Sequence, residues 1–260
     1  MMRSNPMKQK LAAGGTAYGT MVFEFNSPGL PAALVAAGAE FALYDMEHSG
    51  FTMADMKQQF AYCRGIGLVP IVRPPSKTYA TVATLLDIGA MGLMFQMVES
   101  AEEAAELVSW TRYPLRGKRG AMFGGAHDDY MPGDVGEKMR GADERTFVLA
   151  MIETRKGAEN LESILAVEGV DGGHLGQFDL SLSLGIPAQF DRPEIQGTID
   201  RLTGTCQRLG KTAACMAPTI DTARDWQRRG FRMISYSYDT GLMQESLSAG
   251  IRALKSDKAT

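Results

Sequence analysis

The fold can be inferred from the stretch Ala150-Met-Ile-Glu-Thr-Arg155. Here the apolar run from Phe147 to Ile152 ends abruptly in the carboxylate Glu153, and a second run ends at Asp179 in Leu175-Gly-Gln-Phe-Asp-Leu-Ser181. In a closed parallel barrel all strands end at the same rim, so two carboxylates that follow neighbouring strands can share one hard cation. The two segments therefore predict a barrel with a metal-binding rim.

Short apolar segments alternate with helix-like segments along the chain. The predicted strands are 20–25, 41–47, 68–73, 92–98, 146–153, 170–176, 212–217 and 233–238. They are apolar almost throughout, which fits strands covered on both faces. Eight strand-helix units in 260 residues are typical of a TIM barrel. The predicted fold class is therefore α/β, a single (β/α)8 TIM barrel forming one domain over residues 1–260, with an irregular loop at 113–144.

The composition indicates an ordinary globular protein. The chain is 45% hydrophobic and 22% charged, and its net charge of -3 gives no reason to expect nucleic acid or an anionic membrane as a partner. No apolar run is long enough for a membrane span or a signal peptide. The cysteines Cys63, Cys206 and Cys215 are scattered, without metal-ligand spacing, which indicates reduced thiols. We therefore expect a cytoplasmic protein.

Polar residues follow most of the predicted strands and should meet at one rim. They are Glu24, Asp45, Glu47, His48, Arg73, Gln96, Glu153, Asp179 and Asp239. Each one alone is equally well explained as a strand end that faces solvent. Together, two carboxylates, an arginine and a histidine supply a site for a divalent ion, an anchor for a substrate carboxylate and a proton-transfer base.

Two interpretations of the rim charges remain open. Glu153 and Asp179 form buried salt bridges, for example with Arg155, Arg145 or Arg73, or they bind a metal ion. Without a nearby Cys or His pair, such a metal site would be oxygen-rich and largely open, which favours Mg2+ or Mn2+ over structural zinc. Arg73 is likewise either part of a rim salt bridge or a carboxylate clamp.

The three histidines differ in their positions. His48 follows a strand and is either a base or a satisfied loop histidine. His174 lies within an apolar strand and His127 in the long loop, so both are weaker candidates for a role at the rim.

Several short motifs occur in a shared order along the chain. They are Tyr44-Asp-Met-Glu-His48, Ile71-Val-Arg-Pro74, Leu85-Leu-Asp-Ile-Gly89, Thr111-Arg-Tyr-Pro114, Gly117-Lys-Arg-Gly120, Ile152-Glu-Thr154, Val167-Glu-Gly-Val-Asp-Gly172 and Asp179-Leu-Ser181. Through them the chain resembles the class II, metal-dependent pyruvate aldolases of the 4-hydroxy-2-oxoheptanedioate (HpcH/HpaI) family. The resemblance covers nearly the whole chain and implies an aldolase that joins or cleaves a 2-ketoacid and an aldehyde.

The resemblance also implies roles for individual residues. Glu153 and Asp179 would bind the divalent ion, Mg2+ or Mn2+ in the first place and Co2+ or Zn2+ as further candidates. Arg73 would hold the pyruvyl group, and backbone amides around Gly176 to Asp179 would bind the ketoacid carboxylate. No lysine ends a strand in a position to form a Schiff base, which agrees with metal rather than covalent catalysis.

For proton transfer, the resemblance implies that His48 is the base and that Asp87 supports it as a dyad carboxylate. Asp45 would be an acid presented to the site of a neighbouring subunit. Because the family is typically hexameric, we expect a homo-oligomer.

The chain departs from the family pattern around the substrate. Met151 stands where the family commonly has Gln, Gln177-Phe178 where it has Pro-Ala, and Gln96 where it has Pro. The larger Phe178 side chain is expected to crowd the pocket. The candidate substrate-binding residues are Arg73, Met151, Gly176, Gln177, Phe178 and Met216.

The favoured function is a carbon-carbon lyase of the class II pyruvate aldolase type. One alternative is an enzyme that decarboxylates oxaloacetate or makes a different bond, as an enzyme similar to macrophomate synthase does. A second alternative is a barrel that binds ligands without turnover.

Overall fold

The computed structural model describes residues 2–256, which form a closed barrel of eight parallel strands. Each strand pairs with the next one along the chain, and β8 closes the barrel against β1. The strands are β1 Ala17–Val22, β2 Phe41–Asp45, β3 Val69–Arg73, β4 Gly92–Phe95, β5 Phe147–Ile152, β6 Gly172–Leu175, β7 Thr212–Ala217 and β8 Met233–Tyr238. The predicted (β/α)8 fold is confirmed. The predicted domain bounds also include Met1 and residues 257–260, which lie outside the described residues.

Twelve α-helices and one short 3-10 helix, Ala126–Asp128, occur in the described part of the chain. The α-helices are named in chain order. They are α1 Pro6–Ala12, α2 Leu30–Ala36, α3 Met53–Cys63, α4 Tyr79–Asp87, α5 Ala101–Thr111, α6 Val135–Arg145, α7 Arg155–Glu159, α8 Leu161–Ala166, α9 Gln177–Ser183, α10 Pro193–Arg208, α11 Ile220–Arg228 and α12 Asp239–Ser256. Five of them begin at a hydroxyl residue whose oxygen accepts a first-turn backbone N–H, namely Thr52, Thr78, Ser100, Thr154 and Thr219. Such caps fix where the chain leaves the rim loop and becomes helical.

The strands bury both faces, and this explains their apolar composition. Along β5, Leu149 and Met151 belong to the cluster inside the barrel, whereas Val148 and Ile152 belong to the cluster between strands and helices. Side chains on a strand alternate in direction, so the next residue, Glu153, lies on the inward side. The alternation of side chains along β5 therefore directs the Glu153 carboxylate towards the barrel axis.

Two helices were not predicted from the sequence. Helix α6 lies in the second half of the segment that was expected to be irregular, and α1 precedes the first strand. Met7 and Leu11 of α1 pack with the cluster inside the barrel, while Asn5 caps the helix and donates to the carbonyl of Arg145 at 3.0 Å. Helix α1 therefore closes the end of the barrel opposite the rim.

Among residues 2–256, no helix combines the length and the apolar character that a membrane span requires.

Candidate active site

Glu153 is held at the rim by its neighbours in sequence and in space. Strand β5 ends at Ile152, and Thr154 caps α7, so the chain turns at Glu153. The side chain is 2% exposed, and its Oε1 accepts the backbone N–H of Met97 at 2.6 Å. Met97 has a left-handed backbone with φ of 47°, a conformation that non-glycine residues adopt only infrequently. The β4 rim loop thus presents an N–H to this carboxylate.

Gly176 allows strand β6 to pass directly beside Glu153. A Cβ atom at position 176 would lie 2.5 Å from the Glu153 Cβ, 2.7 Å from its Oε2 and 2.8 Å from the Met151 Cε. Real Cβ atoms do not approach so closely, so any other residue here would displace the carboxylate. Asp179 follows in the first turn of α9 and is partly exposed.

The electrostatics of the carboxylate pair fit a cation site. The pKa of Glu153 is raised to about 7, chiefly by burial and also by the charge of Asp179, against the opposing effects of the Met97 hydrogen bond and of Arg73. The two negative charges repel each other, and a cation bound between them would remove this repulsion. No group of three or more His, Cys, Asp or Glu side chains arranged to hold a metal occurs among residues 2–256. A divalent ion held by Glu153 and Asp179 would therefore take its remaining ligands from water or substrate, as hard Mg2+ and Mn2+ do.

The raised pKa of Glu153 predicts how the stability of the metal-free protein depends on pH. Between pH 4.5, the ordinary pKa, and about pH 7, the folded protein keeps a proton that the unfolded chain has released. The free energy of unfolding should therefore fall as the pH rises through this window, by roughly 3 kcal/mol in total. Urea denaturation of the wild type and of Glu153→Gln between pH 5 and pH 8 measures this. We expect the advantage of Glu153→Gln to grow with pH, and parallel curves for the two proteins would contradict the assignment.

Arg73 lies at the end of β3 and is surrounded by acids. Its Nη2 donates to Asp45 Oδ2, and its Nη1 lies 3.1 Å from Glu47 Oε2. Burial acts to lower the pKa of Arg73, but the hydrogen bond and charge of Asp45 outweigh it, followed by the charges of Glu47 and Glu153, so the pKa is raised. The guanidinium is thus a permanent, fixed positive charge at the inner edge of the rim.

Asp45 organises the loop after β2. Its Oδ1 accepts the backbone N–H groups of Glu47 at 2.7 Å and His48 at 3.1 Å, while Oδ2 binds Arg73. The residue is completely buried. Within one chain the carboxylate points towards Arg73 and two backbone amides, which hold it there. The role at a neighbouring subunit's site that the resemblance implies for Asp45 stays a prediction.

His48 is the exposed member of this group. Its side chain is 60% exposed, and Nε2 lies 3.7 Å from Glu47 Oε2, the same oxygen that faces Arg73. Glu47 therefore connects the buried arginine with the histidine at the open side of the rim.

Asp87 lies far from His48 in the single chain. It is the last residue of α4, and Met91 shortly after it donates to Pro70 at the start of β3, so Asp87 is at the end of the barrel opposite the rim. There its Oδ1 accepts from Arg119 at 2.7 Å. The His48–Asp87 dyad implied by the resemblance is therefore not formed within one chain, because the length of the strands separates the two residues.

The candidate substrate-binding residues occupy different positions. Met151 is buried inside the barrel, with its Sδ 3.8 Å from Arg73 Nη1, and Met216 packs against the same interior cluster. Gln177 is partly exposed at the start of α9. Phe178 is 57% exposed, and its ring centre lies 6.0 Å from that of Phe190. The Phe178 ring therefore lies towards Phe190 and solvent, which corrects the expectation that it crowds the pocket.

A family model supports the interpretation that this geometry suggests. The model of the HpcH/HpaI aldolase/citrate lyase family matches residues 20–246. The chain belongs to this family. The resemblance inferred from the motifs is thereby confirmed.

Individual members of the HpcH/HpaI family match almost the whole chain. The 2-keto-3-deoxy-L-rhamnonate aldolase of Klebsiella pneumoniae is 33% identical over 256 residues, which cover 98% of this chain and 95% of that protein. The crystal structure of an HpcH/HpaI aldolase from Desulfitobacterium hafniense superimposes with a TM-score of 0.91 at 30% identity, covering 98% of this chain and 97% of that one.

A more distant structure shares the fold. The citrate lyase beta subunit of M. tuberculosis, complexed with oxaloacetate and magnesium, has a TM-score of 0.54 at 20% identity, covering 88% of this chain and 93% of that one. The named curated relatives are aldolases, so this chain is a carbon-carbon lyase of the class II aldolase type. Neither the decarboxylase nor the non-catalytic alternative is favoured by these relatives.

Two groups at the site were not predicted from the sequence to have a role there, namely the Glu47 side chain and the Met97 amide. Glu47 was recognised only as a polar rim residue, although the motif Tyr44-Asp-Met-Glu-His48 contains it. The amide of Met97 gives no signal in the sequence, because its role depends on a backbone conformation rather than on a side chain.

Proposed function

We propose that this chain reversibly cleaves the carbon-carbon bond between a pyruvate-like 2-ketoacid and an aldehyde, with Mg2+ or Mn2+ held by Glu153 and Asp179. The observation that carries the proposal is the pair of rim carboxylates beside the fixed charge of Arg73. A divalent ion, when bound, supplies a Lewis acid that stabilises negative charge on the ketoacid oxygens.

Arg73 would orient the ketoacid. Since Asp45 and Glu47 already hold its guanidinium, little side-chain entropy is lost when a substrate oxygen binds. Its charge would favour the negative charge that develops at C3 and the keto oxygen as the bond breaks.

The backbone at the start of α9 would bind the ketoacid carboxylate. The N–H of Gly176 donates to the carbonyl of Ile152 at 3.0 Å, so it is already used. The amides of residues 177–179 form the first turn of the helix, where intrahelical acceptors are lacking. These amides, rather than that of Gly176, would face the carboxylate.

His48 would move the proton of the aldol hydroxyl. Its exposure places it on the open side of the rim, where an aldehyde enters, and Glu47 lies close enough to orient the ring. General acid-base help of this kind typically contributes about 10²- to 10⁴-fold to the rate.

Assembly into a homo-oligomer, a hexamer by family resemblance, is part of the proposal. In α12 the apolar side chains of Met243, Leu247, Ile251 and Leu254 are exposed at helical spacing along one face. An apolar stripe of this length favours contact with another copy. Asp87 could then contribute to catalysis only in a neighbouring copy's site. The free, buried cysteines agree with a reducing cytoplasmic location, which we also propose.

A substrate panel tests the reaction. With Mg2+ or Mn2+ present, we expect pyruvate to be released from 2-keto-3-deoxy sugar acids such as 2-keto-3-deoxy-L-rhamnonate, the compound named for the 33% identical relatives. Oxaloacetate, assayed in parallel, separates aldol cleavage from decarboxylation. Decarboxylation of oxaloacetate without release of any aldehyde from the panel would contradict the proposal and favour the decarboxylase alternative.

A further inference from the structure

A buried histidine lies on the inner wall of the barrel beneath the rim. On β6, a Cβ at Gly173 would point outward to Leu202 and Leu165, and Leu175 packs in the layer between strands and helices. Because strand side chains alternate, His174 between them points into the barrel. It precedes Gly176 by two residues on the same face of the strand, so it lies deeper in the barrel than Gly176.

The imidazole of His174 has unused hydrogen-bonding capacity. It is 2% exposed, and neither Nδ1 nor Nε2 has a hydrogen-bond partner of good geometry among the described residues; the Leu175 backbone close to the ring has the smallest of the three effects on its pKa. Its neighbours in register, Met151 on β5 and Ala214 on β7, offer no strong donor or acceptor. Burial, followed by the charge of Arg73, lowers the pKa of His174 to about 3. At neutral pH the ring is therefore uncharged, with one N–H donor and one lone-pair acceptor.

This histidine is close to the groups that would hold the ketoacid. Met151 is the neighbour of His174 in register. The Sδ atom of Met151 lies 3.8 Å from Arg73 Nη1, and its Cε atom lies beside Gly176. The exposed His48 marks the opposite, open side, where the aldehyde enters. The wall that contains His174 therefore faces the ketoacid rather than the aldehyde.

We propose that His174 is a specificity-determining residue that hydrogen-bonds a hydroxyl group on carbon 3 of the ketoacid. The inference rests on the proposed function. Once the carboxylate and keto oxygens are held by the rim, carbon 3 is the only remaining position of a three-carbon ketoacid. A hydroxyl both donates and accepts, which matches a neutral imidazole, whereas the methyl group of pyruvate leaves both ring nitrogens unpaired. The site thus accepts pyruvate, as the proposed function requires, and favours a hydroxylated donor such as hydroxypyruvate over it.

The donor preference of the holoenzyme tests this role. The ratio of kcat/KM for hydroxypyruvate to that for pyruvate, with one aldehyde, is measured in His174→Phe and His174→Gln with Mg2+. We expect a fall of about 10- to 100-fold in His174→Phe, which removes both hydrogen-bonding groups, and a smaller fall in His174→Gln. His127→Phe is the matched control, because His127 is also buried with both ring nitrogens unpaired but lies in the 3-10 turn Ala126–Asp128, distant from the rim. Its ratio should equal that of the wild type.

A binding measurement keeps the inference testable if His174→Phe does not fold. The chain contains three histidines, so the 15N signals of their rings are readily resolved in labelled protein with Mg2+. Hydroxypyruvate should shift both His174 nitrogens, and pyruvate should leave them nearly unchanged. Turnover with an unchanged donor ratio in His174→Phe, or signals that respond equally to both ketoacids, overturns the role of His174 alone. If neither ketoacid is turned over with any aldehyde, the proposed function fails together with the inference.

Discussion

Arg73→Ala is expected to remove nearly all aldol turnover and to lower the free energy of unfolding by about 3–5 kcal/mol. Arg73 is almost fully buried and binds Asp45, which has no exposed surface at all. Removing the guanidinium leaves the buried Asp45 carboxylate without a counter-charge. Breaking a buried ion pair from one side in this way is strongly destabilising. It also removes the positive charge beside the ketoacid, so kcat/KM should fall by about 10³-fold or more. Chemical denaturation and steady-state kinetics measure the two effects.

A double variant separates the two roles of Arg73. In Arg73→Ala with Asp45→Asn no buried charge is left unpaired, so much of the stability should return while turnover stays lost. Arg112→Ala is a matched control, since Arg112 is also buried and lies near Asp171, at 4.0 Å, close to the start of β6 and away from the rim. It should lose stability with little change in kcat for the folded fraction. If Arg73→Ala loses stability but keeps wild-type turnover, Arg73 is a structural ion-pair residue and not a clamp.

Glu153→Gln and Asp179→Asn are expected to weaken divalent-metal binding and to reduce kcat/KM by about 10³-fold. Both changes keep the shape of the side chain and remove one negative charge from the pair. In Glu153→Gln the amide oxygen of the new side chain would still accept the Met97 N–H, and Asp179 is partly exposed, so neither variant should unfold. Thermal unfolding without metal checks the fold, and calorimetric titration with Mn2+ measures the affinity. Wild-type metal affinity in both variants would contradict the ligand assignment.

The barrel could be predicted because strands that are buried on both faces leave a recognisable apolar pattern in the sequence. Strands covered on both faces need apolar residues at every position, and β5 shows this from Phe147 to Ile152. The first polar residue after such a run marks the rim, and after β5 this residue is Glu153. The helices α1 and α6 were not predicted because they contain few apolar residues that would indicate a buried face, although Asp134 caps α6.

The roles of the rim acids could not be separated by sequence, since they depend on what each side chain meets in space. Asp239 also ends a strand, but its Oδ2 accepts the backbone N–H groups of residues 23–25 at 2.8–3.2 Å and thus fastens the loop after β1. Asp45 similarly fastens the loop after β2. Glu153, in contrast, accepts one N–H and has a raised pKa, which fits the proposed role of a metal ligand.

The His174 assignment shows the same dependence on three-dimensional contacts. From the sequence, a histidine within an apolar strand is the weaker candidate, since such residues are usually satisfied in the core. Only the inward direction of the side chain and its unpaired ring nitrogens make it a candidate for contact with substrate.

The central claim is that Glu153 and Asp179 hold a divalent ion that aldol cleavage requires. The most direct measurement is the rate of pyruvate release by the wild-type protein after exhaustive treatment with EDTA, during titration with Mg2+ or Mn2+. We predict that activity is lost with the metal and returns with an occupancy of one ion per chain, and that Glu153→Gln shows no such recovery at the same concentrations. Undiminished turnover in the metal-depleted wild type would contradict the account.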